Sequence, residues 1–160
     1  MKIILLDIAG VVNSLSTKER APSHVIGVEQ SKIALVKQIV EATGAELVLS
    51  STWREDWFYE HERAHYDDWC YLRDEFAKQG LHFIDYTPLR KDRHRGTEIK
   101  EWLEATEHKV TSYVVIDDCM YDIQELHEGH TVKTFFDDGL MLHDVEEAIK
   151  VLNQKDDSMK

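Results

Sequence analysis

Carboxylate and hydroxyl side chains stand at or near the ends of three separate apolar segments of this sequence. The segments are residues 3–8, 45–50 and 113–116, and the polar residues are Asp7, Ser51, Asp117 and Asp118. Clustered carboxylates raise one another's pKa unless a cation neutralises them, and hard oxygen ligands favour Mg²⁺. The pattern therefore predicts a magnesium site between Asp7 and the region of Asp118. Such a site suits phosphate chemistry, because the metal can hold a phosphate oxygen while a carboxylate attacks phosphorus.

Strands that alternate with helices would bring these residues together. Short apolar runs predict buried strands, and apolar residues at helical spacing predict helices. The predicted strands are residues 3–8, 45–50, 81–86, 113–116 and 132–136, and the predicted helices are residues 28–42, 55–78, 97–105 and 144–152. We expect Gly44 and Gly80 to end two of these helices. This order predicts an α/β fold with a three-layer, doubly wound parallel sheet that binds its ligand at the carboxyl ends of the strands.

Length and composition predict one globular domain. A chain of 160 residues with 42% hydrophobic residues can form a sizeable core. We expect a single domain over residues 1–153 and a polar tail over residues 154–160. The net charge of −12 argues against broad binding of duplex nucleic acid, so a polyanion would need a local basic patch. Two cysteines and the lack of a long apolar run favour a cytoplasmic location, with neither secretion nor membrane insertion.

Several motifs resemble the haloacid dehalogenase (HAD) superfamily of aspartyl-nucleophile phosphohydrolases. The first motif of that superfamily is Asp-x-Asp-Gly-Val/Thr, and this chain has Asp7-Ile8-Ala9-Gly10-Val11. Ser51 resembles the second motif, and Asp118 with Asp122 resembles the acidic fourth motif. Other segments are similar to the small HAD domain of Swiss Army Knife RNA-repair proteins, namely residues 49–54, 87–88, 95–99, 102–103 and 138–140. The resemblance implies a HAD-like (Rossmannoid) fold over nearly the whole chain, with at most a small cap.

The resemblance also implies a role for each matched residue. Asp7 would attack the phosphoryl group and form an aspartyl-phosphate. Mg²⁺ would be held by Asp7, the carbonyl oxygen of Ala9 and Asp118, with Asp117 and Asp122 in support. Ser51 would donate a hydrogen bond to the phosphoryl oxygens.

The third motif of the superfamily supplies a positive side chain, which here is Arg95 or Lys100, with Arg95 favoured. The substrate-binding residues predicted around the site are Gly10, Thr52, Trp53, Arg54 and Lys100. The expected substrate is a phosphomonoester of a nucleotide or of a nucleic-acid 3′ or 5′ end. Residues 53–93 would cover the site, because no large insertion follows the first motif.

Ala9 departs from the pattern of the superfamily's phosphatases. They carry an aspartate two residues after the nucleophile, which protonates the leaving oxygen and later activates water. General acid–base catalysis is worth ~10²–10⁴-fold in rate, so turnover should be crippled here. Three explanations stand: an engineered Asp-to-Ala replacement, a natural noncatalytic phosphate-binding module, or a relative of phosphonoacetaldehyde hydrolases. The last group carries alanine here but uses a lysine from an inserted cap, for which residues 13–27 leave little room.

Four other features of the sequence could suggest alternative sites. His61-Glu62-Arg63-Ala64-His65 fits the His-Glu-x-x-His zinc motif of metalloproteases, although surface histidines explain it as well. Trp53 and Trp57 could stack on a nucleobase or pack into the core. The basic run at residues 90–95 could draw a phosphate or a nucleic-acid end to Arg95, or form a solvated loop. Cys119 has no partner base nearby in sequence, which favours a structural thiol.

Overall fold

Five parallel strands form one sheet in the computed structural model, which describes residues 1–54 and 63–154. The strands are β1 (Lys2–Leu6), β2 (Glu46–Leu49), β3 (Phe83–Tyr86), β4 (Ser112–Asp117) and β5 (Thr131–Lys133). Their order across the sheet is β3-β2-β1-β4-β5, and every neighbouring pair is parallel. The predicted doubly wound α/β fold is therefore confirmed, because the strand order turns back at β1 with helices on both faces.

Among the described residues, four α-helices lie between consecutive strands and a fifth follows β5. They are α1 (Gln30–Thr43), α2 (Arg63–Ala77), α3 (Arg95–Ala105), α4 (Ile123–Leu126) and α5 (Leu142–Asn153), and a short 3₁₀ turn spans Thr52–Arg54. Gly44 ends α1, and Gly80 follows the end of α2, as the sequence predicts. The predicted helix at residues 97–105 begins two residues earlier, at Arg95. The four-residue helix α4 was not predicted, because it is too short to show a helical period.

The central strand β1 is buried on both faces. Ile4 and Leu6 pack into the larger core cluster, to which α1, α2 and α5 contribute, while Ile3 and Leu5 pack against α3 and α4 on the opposite face. Such two-sided burial is typical of parallel sheets and explains why the strand reads as an unbroken apolar run. The three layers of the fold follow directly from this arrangement.

The carboxyl ends of the central strands lie side by side. Leu6 of β1 is in register with Leu49 of β2 and with Ile116 of β4. The residues that come next along each strand therefore emerge at one edge of the sheet, where the strand order reverses. This is where ligands bind in doubly wound folds.

Several predictions concern residues at or beyond the limits of the described chain. Within the described residues, no helix has the length and apolar character that a membrane span needs. The zinc motif at residues 61–65 and the predicted base contact of Trp57 lie outside the residues whose side chains are described. Residues 155–160 of the predicted tail do so as well. The division into a domain and a tail, and the role of residues 53–93 as a cover, stay predictions.

Candidate active site

Asp7 follows β1 and opens a tightly held loop. Its backbone N–H donates to the carbonyl of Ile116 at 3.0 Å, which ties it to β4, and its side chain is buried. Asn13 fixes the loop from within: its Oδ1 accepts from the Gly10 N–H, and its Nδ2 donates to the Gly27 carbonyl, both at 2.8 Å. The backbone of Asp7 is therefore fixed to β4, and the Asn13 side chain fixes the loop that follows it.

The end of β4 brings two more carboxylates to Asp7. Oxygen atoms of Asp7, Asp117 and Asp118 all lie within 4.8 Å of one another. Burial raises the pKa of Asp7 well above its ordinary value, the nearby Asp117 carboxylate raises it further, and the Arg95 guanidinium opposes both effects. Burial, followed by the charge of Asp117, also raises the pKa of Asp118. These three carboxylates repel one another when they are ionised, and a bound cation would offset this repulsion.

The guanidinium of Arg95 contacts two of these carboxylates. Its Nη1 lies 2.9 Å from Asp117 Oδ2 and 3.3 Å from Asp7 Oδ1. Although burial would lower its pKa, the charges of Asp7 and Asp117 raise it, so the side chain stays positive. Lys100 is an exposed residue of the same helix, five residues further on. The structure therefore brings Arg95 into the carboxylate cluster.

Gly10 allows Asp118 to approach the first loop. Gly10 adopts a left-handed backbone with a φ of 77°, and a Cβ at this position would lie 2.3 Å from Asp118 Oδ2. Only glycine fits such a conformation with a carboxylate this close. Substrate binding by Gly10 stays a prediction. The geometry gives a separate reason for glycine at this position, because the lack of a side chain makes room for Asp118.

Asp122 does not join the carboxylate cluster. Its two side-chain oxygens accept hydrogen bonds from the backbone N–H groups of Gly96 and Thr97, at 2.9 and 3.1 Å. A carboxylate there satisfies free donors in the first turn of α3 and suits the helix dipole. The supporting role predicted for Asp122 at the metal site would therefore be indirect, through the first turn of α3, where Arg95 begins.

Ser51 stands at the end of β2, where the sequence places it. Its side chain is fully buried, and its Oγ accepts a hydrogen bond from the Trp53 N–H at 3.2 Å. The Ser50 N–H donates to the Leu6 carbonyl at 2.9 Å, so this loop runs directly beside the residue that precedes Asp7. The second-motif hydroxyl thus belongs to the same edge of the sheet as the carboxylates.

Arg54 is buried and holds this loop from behind. Its guanidinium forms an ion pair with Glu98 of α3 and donates to the carbonyls of Ser51 and Thr87. Only 1% of the residue is exposed. These contacts connect the ends of β2 and β3 to α3 inside the protein, and substrate binding by Arg54 stays a prediction.

A protein-family model matches most of this chain. The model describes the HAD domain in Swiss Army Knife RNA repair proteins, and it matches residues 3–145 of the chain. The chain belongs to this HAD domain family. Searches of curated proteins and of solved structures return no match. At the coarse level, membership supports a phosphohydrolase-type function, and HAD proteins generally use Mg²⁺.

Two other predicted substrate residues of this HAD domain have different surroundings. Thr52 is exposed beside Ser51 and is accessible to a ligand. Trp53 is 9% exposed, belongs to the larger core cluster and packs against Tyr71, with ring centroids 6.5 Å apart. The burial of Trp53 favours core packing over the predicted contact with a nucleobase.

The basic run of the HAD domain is partly neutralised by acidic neighbours. Arg90 forms ion pairs with Asp92 and Glu101, and its backbone N–H donates to Glu98 at 2.7 Å. Hydrogen bonds, above all the one to Asp92 and also the one to Glu101, raise the pKa of Arg90. The pKa of Asp92 falls to about 2, chiefly through the same hydrogen bond to Arg90. Arg90 therefore shapes this loop through its acidic neighbours.

Sequence reasoning missed two residues that hold the site together. Thr134 donates its hydroxyl to the Gly10 carbonyl at 2.6 Å, and its N–H donates to the Asp117 carbonyl at 3.0 Å. Glu98 forms the buried ion pair with Arg54. The strand predicted over residues 132–136 includes Thr134, so only the structure shows that Thr134 follows β5 as Asp7 follows β1. A glutamate within an amphipathic helix likewise gives no signal for Glu98.

Proposed function

We propose that this HAD domain is a magnesium-dependent phosphohydrolase with Asp7 as its nucleophile, and that Ala9 greatly slows its turnover. The substrate would be a phosphomonoester of a nucleotide or of a nucleic-acid end. The description of the matching family by its occurrence in RNA repair proteins supports this substrate class.

The contact of Arg95 with Asp7 is the observation that carries the proposal. A guanidinium 3.3 Å from the nucleophile's oxygen is placed to bind a phosphoryl group that the same oxygen attacks. Together with Ser51, it would supply the charge and the hydrogen bond that a transferring phosphoryl group needs. A buried ion pair kept only for stability would not require further carboxylates beside it.

The donor set of the cluster fits Mg²⁺. Three carboxylates and one guanidinium leave two uncompensated negative charges when all are ionised, and the metal prefers oxygen ligands. Asp7 and Asp118 would hold the ion, with Asp117 shared between the cluster and Arg95. When bound, the ion would neutralise the charge of the phosphoryl oxygens.

The chemistry at this chain's own residues follows from these positions. The Asp7 carboxylate would attack phosphorus and form an aspartyl-phosphate while the ester oxygen leaves with the bond electrons. That oxygen must then gain a proton, and water must later split the aspartyl-phosphate to release phosphate. Ala9 is exposed and carries only a methyl group, so it can supply neither proton transfer. Turnover would rely on solvent for both steps.

Restoring the acid tests this proposal. The variant Ala9→Asp should release phosphate from an aryl phosphate or a nucleotide in a Mg²⁺-dependent reaction, at ~10²–10⁴ times the rate of the Ala9 protein. Asp7→Asn in the Ala9→Asp background is the matched control and should abolish release. If Ala9→Asp binds Mg²⁺ normally and still releases no phosphate, the proposal is wrong.

The second candidate function is a noncatalytic module that binds phosphate or a nucleotide. Ala9 favours it, because the rest of the site keeps its carboxylates and its arginine while the acid is missing. The codon at position 9 of the natural gene separates the two readings: aspartate there would mean that Ala9 is an engineered replacement. A phosphonoacetaldehyde hydrolase activity is less well supported, since residues 20–26 fold back on themselves through an Arg20–Ile26 bridge instead of forming an inserted cap.

We also propose a cytoplasmic location. Cys70 and Cys119 are both free thiols in the structure, as expected in a reducing compartment. Fluorescence imaging of the tagged chain in its native cell would test this location.

A further inference from the structure

An exposed tyrosine stands in the loop that carries two of the site's acidic residues. Tyr121 lies between Asp118 and Asp122 in the connection from β4 to α4, and it is 79% exposed. Asp118 belongs to the carboxylate cluster, and Asp122 is held against the first turn of α3. Both ends of this short loop are thus anchored at the site, while the aromatic side chain between them faces solvent.

A second ring meets Tyr121 from the loop that carries Arg95. The rings of His94 and Tyr121 have centroids 5.8 Å apart and are tilted by 60°. His94 directly precedes Arg95, whose guanidinium contacts Asp7. The loop that carries the fourth-motif acids and the loop that precedes Arg95 therefore each contribute one aromatic ring to a shared contact.

The backbone fixes His94 in this place. Arg93 adopts a left-handed conformation with a φ of 55°, which is unfavourable for a residue with a Cβ. The His94 N–H donates to Asp92 Oδ1 at 3.1 Å, and the Arg93 N–H donates to the Arg90 carbonyl at 3.2 Å. The turn that precedes α3 is thus held in a strained shape that presents His94 to Tyr121.

The charge of this loop suits a nucleic-acid strand. Lys91 and Arg93 have exposed side chains in a protein whose net charge is −12. Cationic side chains next to an aromatic surface are what single-stranded nucleic acids bind, because the cations follow the backbone and the rings stack on bases. The tryptophan predicted for base contact, Trp53, is buried in the core, so Tyr121 offers the aromatic face that Trp53 lacks.

We propose that Tyr121, supported by His94, stacks on the nucleobase of the nucleotide whose terminal phosphate occupies the Asp7 site. This inference rests on the proposed function and specifies its substrate as a phosphorylated single-stranded end or a mononucleotide. Tyr121 would be a specificity residue: it would favour phosphates attached to a nucleoside over phosphates attached to a sugar alone, without reading the identity of the base.

Binding to the Ala9 protein tests the inference without turnover. The probes are fluorescent short oligoribonucleotides with a 3′- or 5′-terminal phosphate, the same strands with an abasic terminal nucleotide, and the matching unlabelled mononucleotides as competitors. All titrations contain Mg²⁺. The base-bearing strands should bind at least about fivefold more tightly than the abasic strands. Tyr121→Ala should remove this difference by weakening only the base-bearing strands, and Tyr121→Phe should keep it.

Phe135→Ala is the matched control. Phe135 is an exposed aromatic residue in the loop after β5, 60% exposed, and the ammonium of Lys133 lies 5.2 Å from its ring centroid. Its replacement removes a similar aromatic surface at another loop and should leave the preference for base-bearing strands unchanged. An equal loss in Phe135→Ala would overturn the assignment to Tyr121.

The outcomes separate the inference from the proposed function. If base-bearing and abasic strands bind equally well to the unchanged protein, and both lose binding in Arg95→Met, the phosphate site is supported and the stacking inference is wrong. If no phosphorylated probe binds, the proposed function and the stacking inference both fail. If mononucleotides compete as well as the oligonucleotides do, the terminal nucleotide alone accounts for binding, which supports the inference.

Discussion

The Asp122 carboxylate accepts a hydrogen bond from the Gly96 backbone N–H at 2.9 Å. Gly96 itself packs closely against this loop, because a Cβ on it would lie 2.5 Å from the Asp122 carbonyl oxygen. The fourth-motif loop and the first turn of α3 therefore fit together as one unit. Since Arg95 directly precedes Gly96, this contact sets where the guanidinium enters the carboxylate cluster.

Asp122→Ala should destabilise the protein without weakening its metal binding. It removes two acceptors from the first turn of α3, which should lower the free energy of unfolding by ~1 kcal/mol. In the Ala9→Asp background it should also slow phosphate release, because Arg95 is less well positioned. Urea denaturation and calorimetric Mg²⁺ titration measure the two effects. A drop in Mg²⁺ affinity as large as that of Asp118→Asn would show that Asp122 holds the metal after all.

Gly10→Ala should abolish Mg²⁺ binding by displacing Asp118. The added Cβ would collide with the Asp118 carboxylate at 2.3 Å, and the left-handed backbone adds ~1–2 kcal/mol of strain. Gly129→Ala is the control for strain alone, since Gly129 has a φ of 83° and its Cβ would meet nothing within 4 Å. Both variants should lose stability through backbone strain, and Gly10→Ala should lose at least as much because of the collision, but only Gly10→Ala should lose the metal. Equal Mg²⁺ affinities in the two variants would contradict the role assigned to Gly10.

The sequence predicted the fold and the edge of the sheet that carries the site, for a physical reason. Buried parallel strands read as apolar runs, and the polar residue that follows each run emerges at the same edge. Asp7, Ser51 and Asp118 could therefore be grouped without coordinates. The resemblance to HAD proteins then limited the third-motif cation to Arg95 or Lys100, with Arg95 favoured, and the structure brings Arg95 to Asp7.

What the sequence did not predict depends on contacts between distant segments. Arg54 looks like a substrate residue because it follows Ser51, yet its partner Glu98 lies 44 positions away. Asp122 looks like a metal ligand because it is four residues from Asp118, but the loop turns it toward α3. Residue type and spacing do not reveal which way such a side chain points once a loop has closed.

The buried pair of Arg54 and Glu98 should be essential to stability as a pair. Both side chains are at most 2% exposed, so removing one leaves the other charge uncompensated inside the protein. Arg54→Met should therefore lower the free energy of unfolding by ~3–5 kcal/mol. The double variant Arg54→Met/Glu98→Leu should recover part of this loss, as measured by urea denaturation. If the double variant loses as much free energy of unfolding as the two single variants lose together, or more, the pairing is contradicted.

His127 should make the stability of the protein depend on pH near neutrality. The residue is buried between Tyr113 and α3: its Nδ1 lies 2.9 Å from the Tyr113 hydroxyl, and its Nε2 lies 2.8 Å from the Gly96 carbonyl oxygen. Burial lowers its pKa below the ordinary value of 6.5, despite the opposing hydrogen bond to Gly96. The folded protein therefore keeps His127 neutral at pH values where the unfolded chain already binds a proton.

The sign of the effect follows from this difference in bound protons. Because the unfolded state binds more protons just below pH 6.5, the free energy of unfolding should fall as the pH drops through this value, by at most ~1.4 kcal/mol per pH unit from this residue. The fall should end below the pKa of the folded state. Denaturation between pH 7.5 and 5 should show a shallower slope for His127→Gln than for the unchanged protein. His108→Gln, which alters an exposed histidine, is the control, and identical slopes in all three proteins would exclude His127 as the source.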